Sequence, residues 1–356
     1  MRKLLLSLSI AIAGLLALAF VFRAPLSLRI AERIAPGRLA ADVVPSLPDG
    51  LHVALCGAGS PFPDTERSGP CTVVVAGKRV FVFDAGGGSA RNIGRLGFVL
   101  GHVEAIFLTH FHSDHIDGLG EVLLQRWVTT SNTAPVPVYG PPGVEQVVGG
   151  LRQAYQQDQH YRVAHHGDAT VPASGFGGEA RSFLLAQQLP TVVLKDGDLE
   201  ITAFSVDHAP IHPAIGYRIR YKDRSVLLSG DTRKSPVVQR EARGVDLLVH
   251  EALSERLMAV LERSAAQAGR PKLKKIFNDI LNYHTTPEQA AEIARDAGVR
   301  FLLLNHIVPA LPVPGMEAAF LGDAPGIFDG PIRVGTDGDF VSLPAGSTEV
   351  RLDNRF

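Results

Sequence analysis

Four side chains able to hold a metal fall within residues 105–118, AIFLTHFHSDHIDG: His110, His112, Asp114 and His115. His110 and His112 occupy alternate positions of an extended segment and project the same way, whereas Asp114 and His115 lie past a bend and face a second point. Such a layout suits two metal ions. Neutral imidazole and carboxylate are good ligands for zinc and related divalent ions, and a thiolate-free site with an open position is the pattern of catalysis rather than of structural zinc. Two close dications share a water, lower its pKa towards neutrality, and steady the anion that develops on a carbonyl or phosphoryl oxygen. The chemistry implied is hydrolysis.

Ligands so close in sequence converge only where a strand ends and the backbone turns. An apolar run of strand type, Ala105 to Leu108, directly precedes the motif. Short β-branched or apolar runs at Leu51 to Leu55, Thr72 to Val75 and Val80 to Phe83, separated by Gly and Pro turns, predict a meander; the third closes at Asp84 in FDAGGGSARN. Farther on, LEITAFSVDH alternates as a strand and ends at His208, and Ile215 to Tyr221 makes the returning strand. RSVLLSGDT ends at Asp231, VDLLVHEA at His250 and Glu251, and VRFLLLNH at His306. His212 competes with His208 but sits in a Pro-flanked turn with no strand behind it. Gly118 to Trp127 reads as a helix with Leu119, Val122, Leu123 and Trp127 on one face. Thr286, Pro287 and Gln289 spell a helix start, and His284 lies just before that N-terminus, where backbone N–H groups favour an anion.

His-x-His-x-Asp-His after a hydrophobic strand resembles the signature of metallo-β-lactamase-fold hydrolases, a similarity running from about Leu51 to about Gly338. The resemblance implies an α/β fold: an αββα sandwich, two mixed β-sheets flanked by helices, with a dinuclear centre at one edge. It implies His110, His112 and His208 on one ion, Asp114, His115 and His306 on the other, and Asp231 bridging. Asp84 would orient the metal-binding loop by hydrogen bonds from behind the ligands. The cofactors implied are two divalent ions, zinc first, with manganese or iron as alternatives. The segment around His284 resembles the His-Ser-Thr loop of the ribonuclease Z group, where the histidine contacts the scissile phosphate and donates a proton to the leaving group. Glu251 matches the glutamate that orients it. Asp114, His284 and Glu251 are therefore the expected catalytic residues.

The chain begins with Arg2 and Lys3 before an apolar stretch from Leu4 to Phe22, closed by Arg23. Residues 1–23 read as a signal peptide, with a small-x-small site at Ala17 and Ala19, or as an uncleaved transmembrane anchor. Either places the enzyme outside the cytoplasm, in the periplasm or tethered to the membrane. The prolines of 24–50 mark a linker, although Leu26 to Ile34 could form a short amphipathic helix at the membrane surface. Residues 51–345 form the hydrolase domain, with 144–195 as a candidate lid or insertion supplying specificity, and 346–356 a tail. Cys56 and Cys71 form a disulfide or remain two buried thiols. The segment from Pro309 onward reads as a cover over the site or as a homo-oligomer contact.

The expected substrate is a small-molecule ester, a phosphodiester first and a carboxylic ester, lactone or β-lactam as the alternative. Ribonuclease Z enzymes that process transfer RNA carry an acidic Asp-Cys-Gly-Glu-Gly turn where this chain has Asp84-Ala85-Gly86-Gly87-Gly88, and Ser and Arg shortly after the last histidine where it has Ile307-Val308-Pro309. In Pro141 to Glu200, Arg152, Arg162, Arg181 and Lys195 are outnumbered by Glu145, Asp158, Asp168, Glu179, Asp196, Asp198 and Glu200. With a formal net charge of −1 overall, the chain is not built to neutralise a run of phosphates, and nucleic acid is not an expected partner.

Overall fold

Leu51, Val53 and Leu55 alternate with Ala54 and Cys56 along strand β1 (Gly50–Gly57), and the two sets are buried in different cores. A strand buried on both faces belongs inside a layered sandwich. The structure, a computed structural model, describes residues 2–185 and 189–356. In chain order β1 is followed by β2 (Cys71–Ala76), β3 (Arg79–Phe83), β4 (Val103–Phe107), β5 (Val136–Gly140) and β6 (Gly178–Ser182). A second sheet is built from β7 (Thr191–Asp196), β8 (Leu199–Ser205), β9 (Ile215–Tyr221), β10 (Arg224–Leu228), β11 (Leu247–Leu253), β12 (Phe301–Val308) and β13 (Ile332–Val334). The last strands, β14 (Asp339–Pro344) and β15 (Arg351–Asn354), return to the first sheet. Among the described residues the orders are β15-β14-β1-β2-β3-β4-β5-β6 and β13-β12-β11-β10-β9-β8-β7.

The sheets face each other across Val53, Val74, Phe81, Phe107, Tyr217 and Leu303, with the rings of Phe83 and Tyr139 stacked on that of Phe107 at centroid distances of 4.9 and 4.8 Å. The outer face of the first sheet carries helices Ser89–Arg95, Leu119–Thr129 and Val144–Ala154 through Ile93, Leu119, Val122 and Val148. Helices Pro236–Glu241 and Pro287–Ala297 cover the second through Val238, Ala290 and Ile293. This is the αββα arrangement expected. Each sheet is mixed: β3 to β6 are parallel, as are β10 to β13, and the remaining pairs are antiparallel. Side chains at the carboxyl ends of parallel strands point out of the sheet into one crevice, and there the site lies.

Several boundaries differ from the expectation. The chain divides into a unit of residues 1–42 and a unit of residues 43–356. Segment 24–50, read as a linker, is helical over Arg23–Leu39: Pro25 sits in the first turn, where an amide has no intrahelical partner, and Pro36 lies inside the helix near its C-terminal end. The larger unit begins before Leu51: Val44 and Leu47 are buried, and Lys78 Nζ donates to the carbonyls of Val44, Pro45 and Leu47. The tail 346–356 is the edge strand β15, paired with β14. In 144–195, the stretch HHGDATVPASGFGGEARSF, whose Gly, Pro and small residues read as loop, holds β6, and His165 and His166 end a helix, Gln156–His166. Gly178 is there for packing, since a Cβ would meet Val138 Cγ2 at 2.8 Å and Leu123 Cδ2 at 3.2 Å. Residues 186–188 of that segment lie outside the described residues.

The helix Arg2–Val21 exposes its apolar side chains, Leu5, Leu8, Ile12 and Leu16 among them. No single helix among the described residues is long and apolar enough to cross a membrane; Leu5–Val21 and Arg23–Leu39 together pass that test, with a bend of 73° between them.

Candidate metal centre

The ligand loop is shaped by the turn after β3. Asp84 has a φ of 55°, a conformation that Asp adopts more readily than most residues, and its carboxylate is directed at the end of β4. Oδ1 accepts the backbone N–H of Thr109 at 2.8 Å, and Oδ2 accepts the Thr109 hydroxyl at 2.8 Å and His115 Nδ1–H at 2.9 Å. With its proton given to Asp84, the Thr109 oxygen is left to accept from His110 Nδ1 at 3.1 Å. One carboxylate thus fixes the tautomer of both His110 and His115, leaving each Nε2 with a free lone pair. The same turn needs Gly86, because a Cβ there would run into the Asp114 carbonyl, and Gly118, whose Cβ would run into that of Gly86. Beyond His112 the short helix Ser113–Ile116 turns Asp114 and His115 inward, both buried.

The later ligands arrive on the second sheet. His208, three residues past β8, is buried and donates Nδ1–H to the Tyr283 carbonyl at 3.0 Å, so its Nε2 is also free. Asp231 follows β10 through Gly230, whose φ is 62° and whose Cβ would collide with the Ile215 carbonyl. His306 is the extra residue of a bulge: β11 and β12 pair Glu251 with Asn305 and Ala252 with Ile307, leaving His306 unpaired at φ 48°. A histidine held in the left-handed region within a parallel ladder is strain of the kind that structures keep at functional sites. His212, by contrast, is exposed and outside the cluster.

All seven expected ligands meet. His110, His112, His208 and Asp231 offer ligand atoms within 4.8 Å of one another, as do Asp114, His115 and His306; Asp231 also groups with His284 and His306. Asp231 Oδ2 stands 3.2 Å from His306 Nε2, 3.3 Å from His115 Nε2, 3.8 Å from His110 Nε2 and 3.9 Å from His208 Nε2, between the two sets. The donors fit two divalent ions. The Nε2 atoms of His115 and His208 are buried with no hydrogen-bond partner, and His110 Nε2 faces His112 Nδ1 at 3.0 Å. Buried ligand atoms left without a hydrogen-bond partner are costly unless a cation fills the space between them.

Protonation follows the same division. Burial, with His115 nearby, holds His110 well below the ordinary imidazole range, and burial lowers His112 and His208 as well. For His115 and His306 burial also opposes charge, but Asp231 outweighs it, with Asp84 and Asp114 respectively, and both are raised. Burial would raise Asp231, yet His306 and His115 hold it well below the carboxylate range. Neutral imidazoles and ionised carboxylates are the states that metal binding requires, and a bound dication would replace the protons that His115 and His306 share with their carboxylates.

Beside the cluster, Glu251 is buried, and its Oε1 accepts the N–H groups of Thr232 and Thr285 at 3.2 and 3.0 Å and His284 Nδ1 at 3.2 Å. The helix behind His284 starts as expected, with a capping box between Thr286 and Gln289. A cleft of about 380 Å3 opens in front, floored by His112, Asp114, Asp231, His284 and His306. None of its lining comes from 144–195; the walls are the Pro61-Phe62 turn and the segment around Ile276, Ile280 and Tyr283. Thr109 and the wall residues Ile276, Ile280 and Tyr283 are not singled out by the sequence, whereas the loop between Cys56 and Cys71, which holds Pro61 and Phe62, is one that the family resemblance places beside the site. The position of Thr109 directly before His110 is the one signal for it, and the segment from Ile276 to Tyr283 carries no motif.

Known proteins are similar to this chain in sequence and in fold. A family profile described as "Beta-lactamase superfamily domain" matches residues 79–307. Ribonuclease Z of Mycolicibacterium gilvum is 37% identical over 289 residues, 81% of this chain and 94% of that protein. Ribonuclease Z of Mycobacterium avium is 36% identical over 299 residues, 83% of this chain and 100% of that protein. In fold, the chain is similar to human tRNase Z, short form, with a TM-score of 0.58 at 19% identity, and to the metallo-β-lactamase fold protein YhfI of Bacillus subtilis, with 0.58 at 20%; each comparison covers 82% of this chain and 99% of the other. The chain belongs to the β-lactamase superfamily and, within it, to the ribonuclease Z-like group of metal-dependent hydrolases. The relatives' names run against the expectation that nucleic acid is not a partner.

Proposed function

We propose that the protein is an exported dinuclear phosphodiesterase acting on small phosphodiesters rather than on precursor transfer RNA. The observation that carries this reading is the pairing of His284 with Glu251 at the edge of the ligand cluster. Two divalent ions, zinc on this donor set with manganese or iron as alternatives, would activate a shared water and neutralise charge on the phosphoryl oxygens. Asp231 lies between the two histidine sets and Asp114 beside His306, so Asp114 is the carboxylate placed to take a proton from the attacking water. With Nδ1 held by Glu251, His284 presents Nε2 to the cleft, placed to contact a phosphoryl oxygen and to pass a proton to the leaving oxygen. A carbonyl substrate needs no such contact.

The export reading is supported by the apolar run before Arg23 and by the disulfide between Cys56 and Cys71, a bond that persists in oxidising compartments. It leaves the leader either cleaved or retained as an anchor. The relatives named ribonuclease Z favour a second reading, an RNA phosphodiester on the same centre.

The test is a substrate panel on the zinc- or manganese-loaded enzyme: bis(p-nitrophenyl) phosphate, a precursor transfer RNA, a lactone and a cephalosporin. Phosphodiester turnover that collapses in His284→Ala with metal retained supports the proposal. Preference for the lactone or cephalosporin, indifferent to His284, overturns it, and efficient precursor cleavage moves the substrate to RNA.

A further inference from the structure

The cleft is not uniform. Its floor carries the ligands and His284, while its walls are Pro61, Phe62, Ile276, Ile280, Tyr283 and Val308, with no lysine or arginine among the lining residues. Gripping a polyanion takes a cation for each phosphate engaged, and these walls supply none. They supply apolar surface instead. Ile276, on the helix Pro271–Asp279, is 54% exposed, although its neighbour Phe277 is buried.

Both walls are held ready. The Phe62 ring packs on Phe277 at a centroid distance of 5.7 Å, and the Tyr283 ring lies 4.7 Å from the rings of both His208 and His284. Tyr283 also takes the His208 Nδ1 proton on its carbonyl, so this wall is tied to a metal-ligand position. A volume of about 380 Å3 is at the small end for ligand pockets and leaves room for a ring beside one anionic group.

Resting on the phosphodiester reading above, we propose that the substrate is a monoanionic ester whose second substituent is an uncharged apolar group of about aryl size, seated between Phe62 and the Ile276–Ile280 wall. The cluster takes the single negative charge. The walls take the substituent, and the desolvation of ring and isoleucine supplies the selectivity. Phe62 and Ile276 are specificity-determining residues on this account and touch no reacting atom.

The experiment is calorimetric binding of phenylphosphonate and methylphosphonate to the full-length, zinc-loaded protein in detergent. Each probe is used as its O-methyl monoester, so that headgroup and single negative charge are the same in both. Phenylphosphonate binds at least tenfold tighter, about 1.4 kcal/mol, and in Ile276→Asn and in Phe62→Ala the gap narrows to less than threefold. Ile276 is exposed, so its replacement leaves the fold intact. Equal affinity for the two phosphonates in the wild type, or a gap unchanged in both variants, overturns the proposal. The phosphodiester reading fails separately: no turnover of bis(p-nitrophenyl) phosphate with the phenyl gap intact sinks that reading alone and leaves the apolar subsite established.

Discussion

Asp84 touches no metal position, yet replacing it by Asn should loosen metal binding in both ligand sets. Asn tolerates the φ of 55°, so the backbone turn survives and the effect is chemical. One amide oxygen can still accept the Thr109 N–H, but the other atom becomes a donor facing His115 Nδ1 and the Thr109 hydroxyl. The His115 proton is then driven to Nε2, the atom aimed at Asp231 and Asp114, and a protonated nitrogen cannot ligate. A hydroxyl turned around to accept from the amide no longer points its proton away from His110, so the second tautomer is loosened as well. Partners behind metal ligands are typically worth about 10- to 100-fold in affinity, or about 1.4 to 2.7 kcal/mol. Competition between protein and a chromophoric chelator measures this directly, with zinc content after dialysis as a cross-check. Affinity in Asp84→Asn within twofold of the wild type would refute the tautomer argument.

The remaining predictions follow from the same geometry. His112→Ala and Asp231→Ala lose activity and metal together, whereas His284→Ala lowers turnover by about 10² to 10⁴ with metal retained; equal metal loss in all three would make His284 a ligand. Gly86→Ala pushes a Cβ against the Asp114 carbonyl and should cost metal content more than secondary structure, read by metal analysis beside circular dichroism. Cys56→Ser with Cys71→Ser opens a loop of sequence separation 15 and should lower unfolding free energy by about 3 kcal/mol, measured by urea denaturation with midpoint and slope both fitted, since the freed unfolded chain expands. Chelation should lower the melting temperature, since zinc at about a thousand times its dissociation constant adds about 4 kcal/mol to the folded state.

The ligands were legible because they follow apolar strand-type runs that break at a polar residue, although His306 proves to lie inside β12 rather than at its end. His110, His112, Asp114 and His115 needed only local spacing, and His208, Asp231 and His306 needed only the runs before them. The reasons they converge were less visible. Thr109 acts through Asp84, 25 residues away, and no local pattern announces a hydroxyl that relays a tautomer. The bulge at His306 depends on register with β11, which is a property of the pair. Glycines misled in one place: Gly178 signalled a loop and serves an edge strand pressed against Val138 and Leu123. Prolines misled in another, since Pro25 sits in a first turn, where a helix tolerates it, and the helix runs through Pro36 all the same. The cleft walls come from the Pro61-Phe62 turn and the helix Pro271–Asp279, brought together by a small core of Phe62, Met258, Phe277 and Val308 that only tertiary packing creates.

The central claim, a two-metal centre that hydrolyses phosphodiesters, is tested most directly by titrating the metal-free protein with zinc while following bis(p-nitrophenyl) phosphate hydrolysis. The account predicts that turnover rises to a plateau at two equivalents of zinc per chain. Saturation at one equivalent, or no turnover at any loading, would contradict it.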